Sequence, residues 1–449
     1  MNKNRVLSLV ALMSASFMSA NDSLSTMFSD GNVSGQIRAF YLDREFQGTQ
    51  GNTTHRNSLA LGGHLKYETA EYKGLKLGVA FYTTNAIKVF DYDVLDPSLL
   101  GTGYENYSIL GEAYIDYSFK EYGSDTQMKL GYQRYDTPMM GSDDVRMIPN
   151  TFEAYKLVNK DIEDVTVQVA QITSISYGTY SNLFIGGGVV ATTSGYPSLA
   201  YETGKYYNLG KITTGKSTAG VTNILAKFKN ENFFFIASND YAWDIYNTLY
   251  IEAGAKWNCL LNENIHPFVK AQFIKQNSVG GNYMQYSNML GNGEIDSMYE
   301  AIKVGATYNN LTFSAAYSTV TSNNSSDTSY KNAINSQFGG MPSYTSSMVS
   351  RHQFLAGTDA SKVTGKYLFK DLGVNLSALG YYASYDMDRY SGYGLQRVAT
   401  EAGFDIKYYP QYVKNLQLRF RGNFPRKFAE TSAGDKGWNE YRFIVNYTF

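Results

Sequence analysis

Cysteine occurs once in the 449 residues, at Cys259, so no disulfide framework holds this chain together. Neither CxxC nor HExxH is present, and no G-x-x-x-x-G-K-[ST] follows the glycine run Gly186-Gly187-Gly188. Charge of one sign is lacking too: 39 Lys+Arg stand against 40 Asp+Glu, which excludes the basic field that nucleic-acid binding needs. After residue 20 no apolar run approaches the roughly 18 residues of a membrane helix. With a mean hydropathy of −0.33, a multi-span helical membrane protein is excluded. What the chain does have is 15% aromatic residues, 40 of them Tyr, together with 41 Gly and only 18% charged residues.

The first twenty residues differ from the rest. Lys3 and Arg5 give a short positive start, Val6–Ala20 is apolar or small, and Asn21-Asp22 opens polar sequence. That layout predicts a secretory signal peptide over 1–20 with cleavage after Ala20. Its loss takes the formal charge from −1 to −3. No Cys follows, so a lipoprotein signal is excluded.

Alternation with period two runs through the mature region. In 414–424 Leu416, Leu418 and Phe420 alternate with Gln417, Arg419, Arg421 and Asn423; in 57–67 Leu59, Leu61, Leu65 and Tyr67 alternate with Ser58, Ala60, His64 and Lys66. Each such strand has one apolar and one polar face. A soluble sandwich would read the same way, so the connections decide. The chain divides into about eighteen strands, from 33–46 to 439–449, mostly of the length that crosses a bilayer at a tilt. Tight connections (70–74, 120–124, 309–310, 410–414) interleave with long ones (85–105, 174–220, 277–297, 321–360). Turns at one rim and loops at the other predict a closed antiparallel transmembrane β-barrel over 21–449, an all-β fold. The even strand number puts both termini on the turn side. Tyrosine clusters such as Tyr381-Tyr382 and Tyr408-Tyr409 read as membrane-interface girdles.

The carboxyl end carries the sharpest local signal. Tyr441, Phe443, Val445, Tyr447 and terminal Phe449 share one face of the last strand. Solvent-exposed chain ends are usually polar. This ending looks like the signature by which outer-membrane barrels are recognised by the barrel-assembly machinery.

Three stretches resemble the OprD-type outer-membrane porin family. They are Ser34-Gly35-Gln36-Ile37-Arg38, the segment Asp143-Asp144-Val145-Arg146-Met147-Ile148-Pro149-Asn150-Thr151-Phe152, and Asn439-Glu440-Tyr441-Arg442-Phe443-Ile444-Val445-Asn446-Tyr447. The resemblance implies a water-filled pore in the outer membrane of a Gram-negative bacterium, set in lipid and lipopolysaccharide. Its solutes would be small and hydrophilic, often carboxylate-bearing ones such as amino acids or organic acids. It also implies a basic ladder on the wall and a constriction loop over about 136–150 holding Asp143, Asp144 and Arg146. Pro138, Pro149 and Gly141 suit a stiff folded-in segment, and an ordinary surface loop is the competing reading. A general trimeric porin of sixteen strands, or a structural or adhesin barrel, is the alternative function. Monomer and trimer remain open.

Phase assigns the inward face. Glu401, Asp405, Lys407, Arg419, Arg421, Glu440 and Arg442 fall on the polar side of the last strands, and Gln36, Arg38, His64 and Lys66 on that of the first two. Barrel closure sets the last strand beside the first, so these residues share one wall. Arg or Lys facing mid-bilayer lipid costs about 2–4 kcal/mol, which favours the lumen. The wall would guide anionic groups while Asp143 and Asp144 oppose it and receive a cationic group. Alternatively these charges only satisfy one another, Arg442 with Glu440 for instance.

Other chemistry has thin support, and no enzymatic role is expected. His352 with Ser350 and Asp359 is a possible rim triad, in a loop where such residues are abundant. The other histidines are His55 in an outer loop, His64 in the lumen phase and His266 near a turn. Asp91-Tyr92-Asp93-Val94-Leu95-Asp96 offers hard oxygen ligands suited to loop Ca²⁺ and reads equally as a solvated run; no other cofactor is indicated. A plugged transporter is excluded, because only about a dozen residues separate Ala20 from Val33, where a plug takes roughly 150.

Overall fold

A computed structural model describes residues 22–47, 55–88, 95–184, 187–197, 199–392, 397–431 and 434–449. The expected signal peptide therefore lies outside the described residues.

Eighteen antiparallel strands close into one ring. They are β1 (Asn32–Gln47), β2 (His55–Glu68), β3 (Leu75–Ala86), β4 (Tyr107–Ser118), β5 (Thr126–Gln133) and β6 (Thr151–Asn159). Next come β7 (Val165–Ser176), β8 (Val221–Lys229), β9 (Phe233–Ala242), β10 (Tyr246–Lys256), β11 (Ile265–Ser278) and β12 (Asp296–Tyr308). The last six are β13 (Leu311–Val320), β14 (Thr358–Leu368), β15 (Leu376–Met387), β16 (Arg397–Tyr408), β17 (Leu416–Arg426) and β18 (Gly434–Thr448). Each pairs with its sequence neighbours, and β18 seals the ring on β1 from Gln36↔Thr448 to Gln47↔Gly437. A sheet without edges is the form in which strands can satisfy every backbone group inside lipid.

Side-chain alternation sorts the two faces. On β18 Tyr441, Phe443 and Tyr447 are exposed outward while Glu440, Arg442 and Ile444 are buried inward. On β2 Leu61 and Leu65 face out, with Ser58 and Ala60 in. Tight turns form one rim: Lys73 (φ 49°) and Gly74 (φ 80°) make the two-residue hairpin between Tyr72 and Leu75, where glycine tolerates the positive φ. The loop rim is less uniform than the alternation implied, since β9 and β10 are joined there by only Trp243-Asp244-Ile245.

Two expectations need correction. Adjacent residues on a strand face opposite sides, so Tyr381 points inward at 8% exposure while Tyr382 faces out at 50%; only the second can join a girdle. Nor is the bore open water throughout. At its loop end, Tyr177, Tyr196 and Phe338 from the long loops pack with Phe152, Ile172 and Tyr246 of the wall into a buried apolar core. The long loops carry enough aromatic surface that burial inside the ring outweighs solvation.

Candidate pore lining and constriction

The basic residues Lys407, Arg419, Arg421, Arg442, Arg38, His64 and Lys66 share the inward parity of their strands, on neighbouring staves. Register sets Lys407 beside Arg419 and Asp405 beside Arg421, with Arg421 beside Arg442. Arg419 grips Asp405 through Nε at 2.8 Å and Nη2 at 2.5 Å, and Arg421 stands 3.7 Å from the same carboxylate. Arg442 Nε donates to Glu440 Oε1 at 2.5 Å and its Nη2 to Asn423 Oδ1 at 2.8 Å. Glu440 also receives Arg44 at 2.8 Å and Arg146 at 3.3 Å, so one carboxylate answers three guanidinium groups. On β2, Lys66 lies 3.3 Å from Glu68 and 3.7 Å from Glu112, and the His64 ring sits 5.1 Å from that of Tyr82.

Segment 134–150 folds into the bore and lies on this wall instead of facing it. Arg38 Nη1 donates to Asp144 Oδ1 at 2.7 Å and also bonds the Arg146 carbonyl. Arg146 is fully buried, its Nε 3.1 Å from Ser98 Oγ and its guanidinium over the rings of Tyr180 (4.7 Å) and Phe40 (5.5 Å). Burial together with nearby Arg442 lowers its pKa to about 10, so it stays charged at neutral pH.

Asp143 and Asp144 therefore do not stand opposite the wall awaiting a cation. Asp144 is answered by Arg38 and, at 3.5 Å, by Arg134; Asp143 is answered by Tyr196 and, at 3.6 Å, by Arg351. Burial pushes the Asp144 carboxyl upward, but Arg38 and Arg134 more than offset that and hold it below the usual range. Water still reaches this point, with the Asp144 and Arg134 side chains 28% and 37% exposed.

The 321–357 loop braces the segment. Gly141 N donates to Phe338 O at 2.9 Å, and a Cβ on Gly339 (φ 87°) would lie 2.1 Å from Gly141 O, so the two backbones meet where only glycine fits. The 321–357 loop is held in turn by Glu401 of β16, which accepts from the backbone amides of Met348 (3.1 Å), Val349 (3.3 Å) and Ser350 (2.6 Å). Three successive N–H groups around one carboxylate form an anion nest.

The other candidates scatter. His352 is buried and donates from Nε2 to Phe428 O at 3.2 Å, whereas Asp359 is exposed and bonded by Tyr317, so no triad with Ser350 forms. Most of the suggested Ca²⁺ run (91–94) lies outside the described residues; Asp96 is committed to Arg44 at 3.0 Å and to the Ser98 amide at 3.0 Å. Among the described residues no cluster of His, Cys, Asp and Glu is arranged to hold a metal. Phase counting confined to the terminal strands missed the inward lysines of the middle staves, Lys270, Lys303 and Lys362. The same parity applied to β11, β12 and β14 finds them, flanked by outward Ile302, Val304 and Val363.

Residues 26–449 match the family described as outer membrane porin, OprD family. No curated protein matched the sequence. Among solved structures, OccAB3 of Acinetobacter baumannii is similar at a TM-score of 0.73 and 17% identity, over 94% of this chain and 100% of that one. OccK9 (OpdG) of Pseudomonas aeruginosa is similar at 0.71 and 19% identity, over 94% and 99%. OpdK of the same organism, solved with vanillate, is similar at 0.71 and 15% identity, over 94% and 99%. At such identities these likenesses speak for the fold, an 18-stranded porin barrel. The family match spans nearly the whole sequence, and with the closed ring and its folded-in loop it identifies the chain as a member of the OprD family of outer-membrane porins of Gram-negative bacteria.

Proposed function

We propose that this porin passes small carboxylate-bearing solutes, steering them along the basic wall of β16–β18, β1 and β2. One observation carries the reading: around Asp405 the cations of β16 and β17 outnumber the carboxylates. Arg419 and Arg421 share Asp405, and Lys407, beside Arg419, has no carboxylate within 4.0 Å among the described residues. Mutual satisfaction there would require matched numbers. A surplus of fixed positive charge in a narrow bore favours anionic groups. Segment 134–150 is the constriction in this reading, with Arg134 and Asp144 its water-facing charges.

Planar-bilayer recording tests it. Replacing Arg419→Ala together with Arg421→Ala moves the reversal potential toward cations in a salt gradient; no movement retires the wall as the selectivity element. Two parts of the reading concern export. Residues 1–20 act as the signal peptide, checked by amino-terminal sequencing of the membrane-inserted protein. The outward aromatic row ending at Phe449 serves the assembly machinery, so deleting Phe449 lowers the yield of folded barrel.

A further inference from the structure

Asp240 is the one charged residue of β9, near the loop rim, and it is 5% exposed. Its Oδ1 accepts from Asn223 Nδ2 at 2.5 Å. Asn223 is held in that orientation, because its own Oδ1 accepts from Tyr135 OH at 2.9 Å and from Gln168 Nε2 at 3.2 Å. Asp240 Oδ2 is buried and accepts no hydrogen bond. No Lys, Arg or His nitrogen lies within 4.0 Å of it among the described residues. Lys227, on the same face of β8, stands beyond Asn223 by roughly 13 Å of strand. A buried carboxylate oxygen with neither a donor nor a counter-charge is costly and calls for a partner.

The 321–357 loop brings a second bare acceptor to the same place. Asn335 is fully buried, and its Nδ2 donates to Tyr330 O and Ala333 O, both at 3.1 Å, which fixes Oδ1 as the atom left over. That Oδ1 has no hydrogen-bond partner either. Asp240 and Asn335 line one enclosed cavity, with Thr248 and Tyr246 of β10 as its other polar side chains; Met139 of the folded-in segment and Phe338 of the loop also wall it. Its free volume is about 10 Å³, room for a single sphere no larger than a water molecule.

Chemistry narrows the occupant. Two acceptors sharing one small space need a donor or a cation between them. The Asn223 amide, fixed by its own partners, favours the ionised carboxylate. Water would bridge the oxygens but leave the charge unanswered, whereas one positive charge matches one carboxylate. Ca²⁺ takes about six to eight oxygen ligands and Mg²⁺ keeps part of its water shell, and this cavity has room for neither arrangement. K⁺ is about as large as water, and Na⁺ is smaller. We propose that the cavity binds a sodium ion between Asp240 Oδ2 and Asn335 Oδ1, and that the ion staples the 321–357 loop to β9 beside the folded-in segment. Sodium binds the seated loop and not the lifted one, so its concentration sets how firmly the loop is held. The site is independent of the carboxylate reading.

The test is hydrogen–deuterium exchange, read by mass spectrometry, on the barrel refolded in detergent in sodium, potassium or choline chloride at equal ionic strength. Exchange within 321–357 is expected to be about ten-fold slower in sodium than in choline once sodium exceeds its dissociation constant about ten-fold, with a smaller effect of potassium. Asp240→Asn removes the sodium dependence, since the new amide donates to Asn335 Oδ1 without an ion. Equal exchange in the three salts overturns the proposal, and so does a sodium effect that survives in Asp240→Asn. An infrared band of a protonated carboxyl, present in sodium chloride at neutral pH and lost in Asp240→Asn, also overturns it, because a proton then takes the place of the ion. The salt comparison on the wild-type chain decides by itself should Asp240→Asn not fold.

Discussion

Arg38 of β1 and Asp144 of the folded-in segment meet at 2.7 Å, and the same guanidinium reaches the Arg146 carbonyl, so one side chain positions both the charge and the backbone of that segment. Asp144→Asn keeps the shape but removes the charge facing Arg38 and Arg134. The reversal potential is expected to move toward anions, opposite in sign to the change at Arg419 and Arg421. Because the Asp144 carboxyl lies below the usual range, its charge persists as pH falls past the ordinary aspartate value of about 3.9 and is lost only below it. In wild type, selectivity should hold through that value and shift only at lower pH.

Glu440 is the common partner of Arg44, Arg146 and Arg442. Glu440→Gln leaves buried Arg146 and Arg442 without their counter-charge, while Arg44 keeps Asp96, a change worth about 3–5 kcal/mol. The urea midpoint of the barrel in detergent should fall markedly. Glu440→Asp should recover part of the loss.

Glu401 holds the 321–357 loop through three backbone amides. Hydrogen bonds to a charged group contribute about 1.5–3 kcal/mol each. Limited proteolysis should cut Glu401→Gln within this loop faster than wild type while the strands remain protected. Unchanged cleavage would mean that the apolar core alone seats the loop.

His352 gives a pH dependence of known sign. Burial first, then nearby Arg397, lowers its pKa to about 4 from 6.5. A freed loop binds the proton near 6.5 and the docked loop only near 4, so docking weakens as pH falls across that window, by at most roughly 3 kcal/mol. Amide exchange in 321–357 should quicken between pH 7 and 5. His352→Phe should remove that pH dependence.

Period-two patterning made the ring legible because every strand must show one face to lipid, and Leu416, Leu418 and Phe420 declare that face without any tertiary information. The inward arginines followed from the same rule. The pairing of Asp143 and Asp144 did not: their partners Arg351 and Arg38 lie 208 and 106 residues away in sequence, joined only because the loops turn back into the bore. Loop interiors carry no period, so Tyr177, Tyr196 and Phe338 read as solvent-facing aromatics until their packing is seen.

The folded-in segment is fastened to the first strand through Arg38 and to the last through Glu440. Those two anchors become neighbours only when the ring has sealed. Seating of the segment must therefore be a late event in biogenesis, because a half-inserted chain offers it only one of its two anchors.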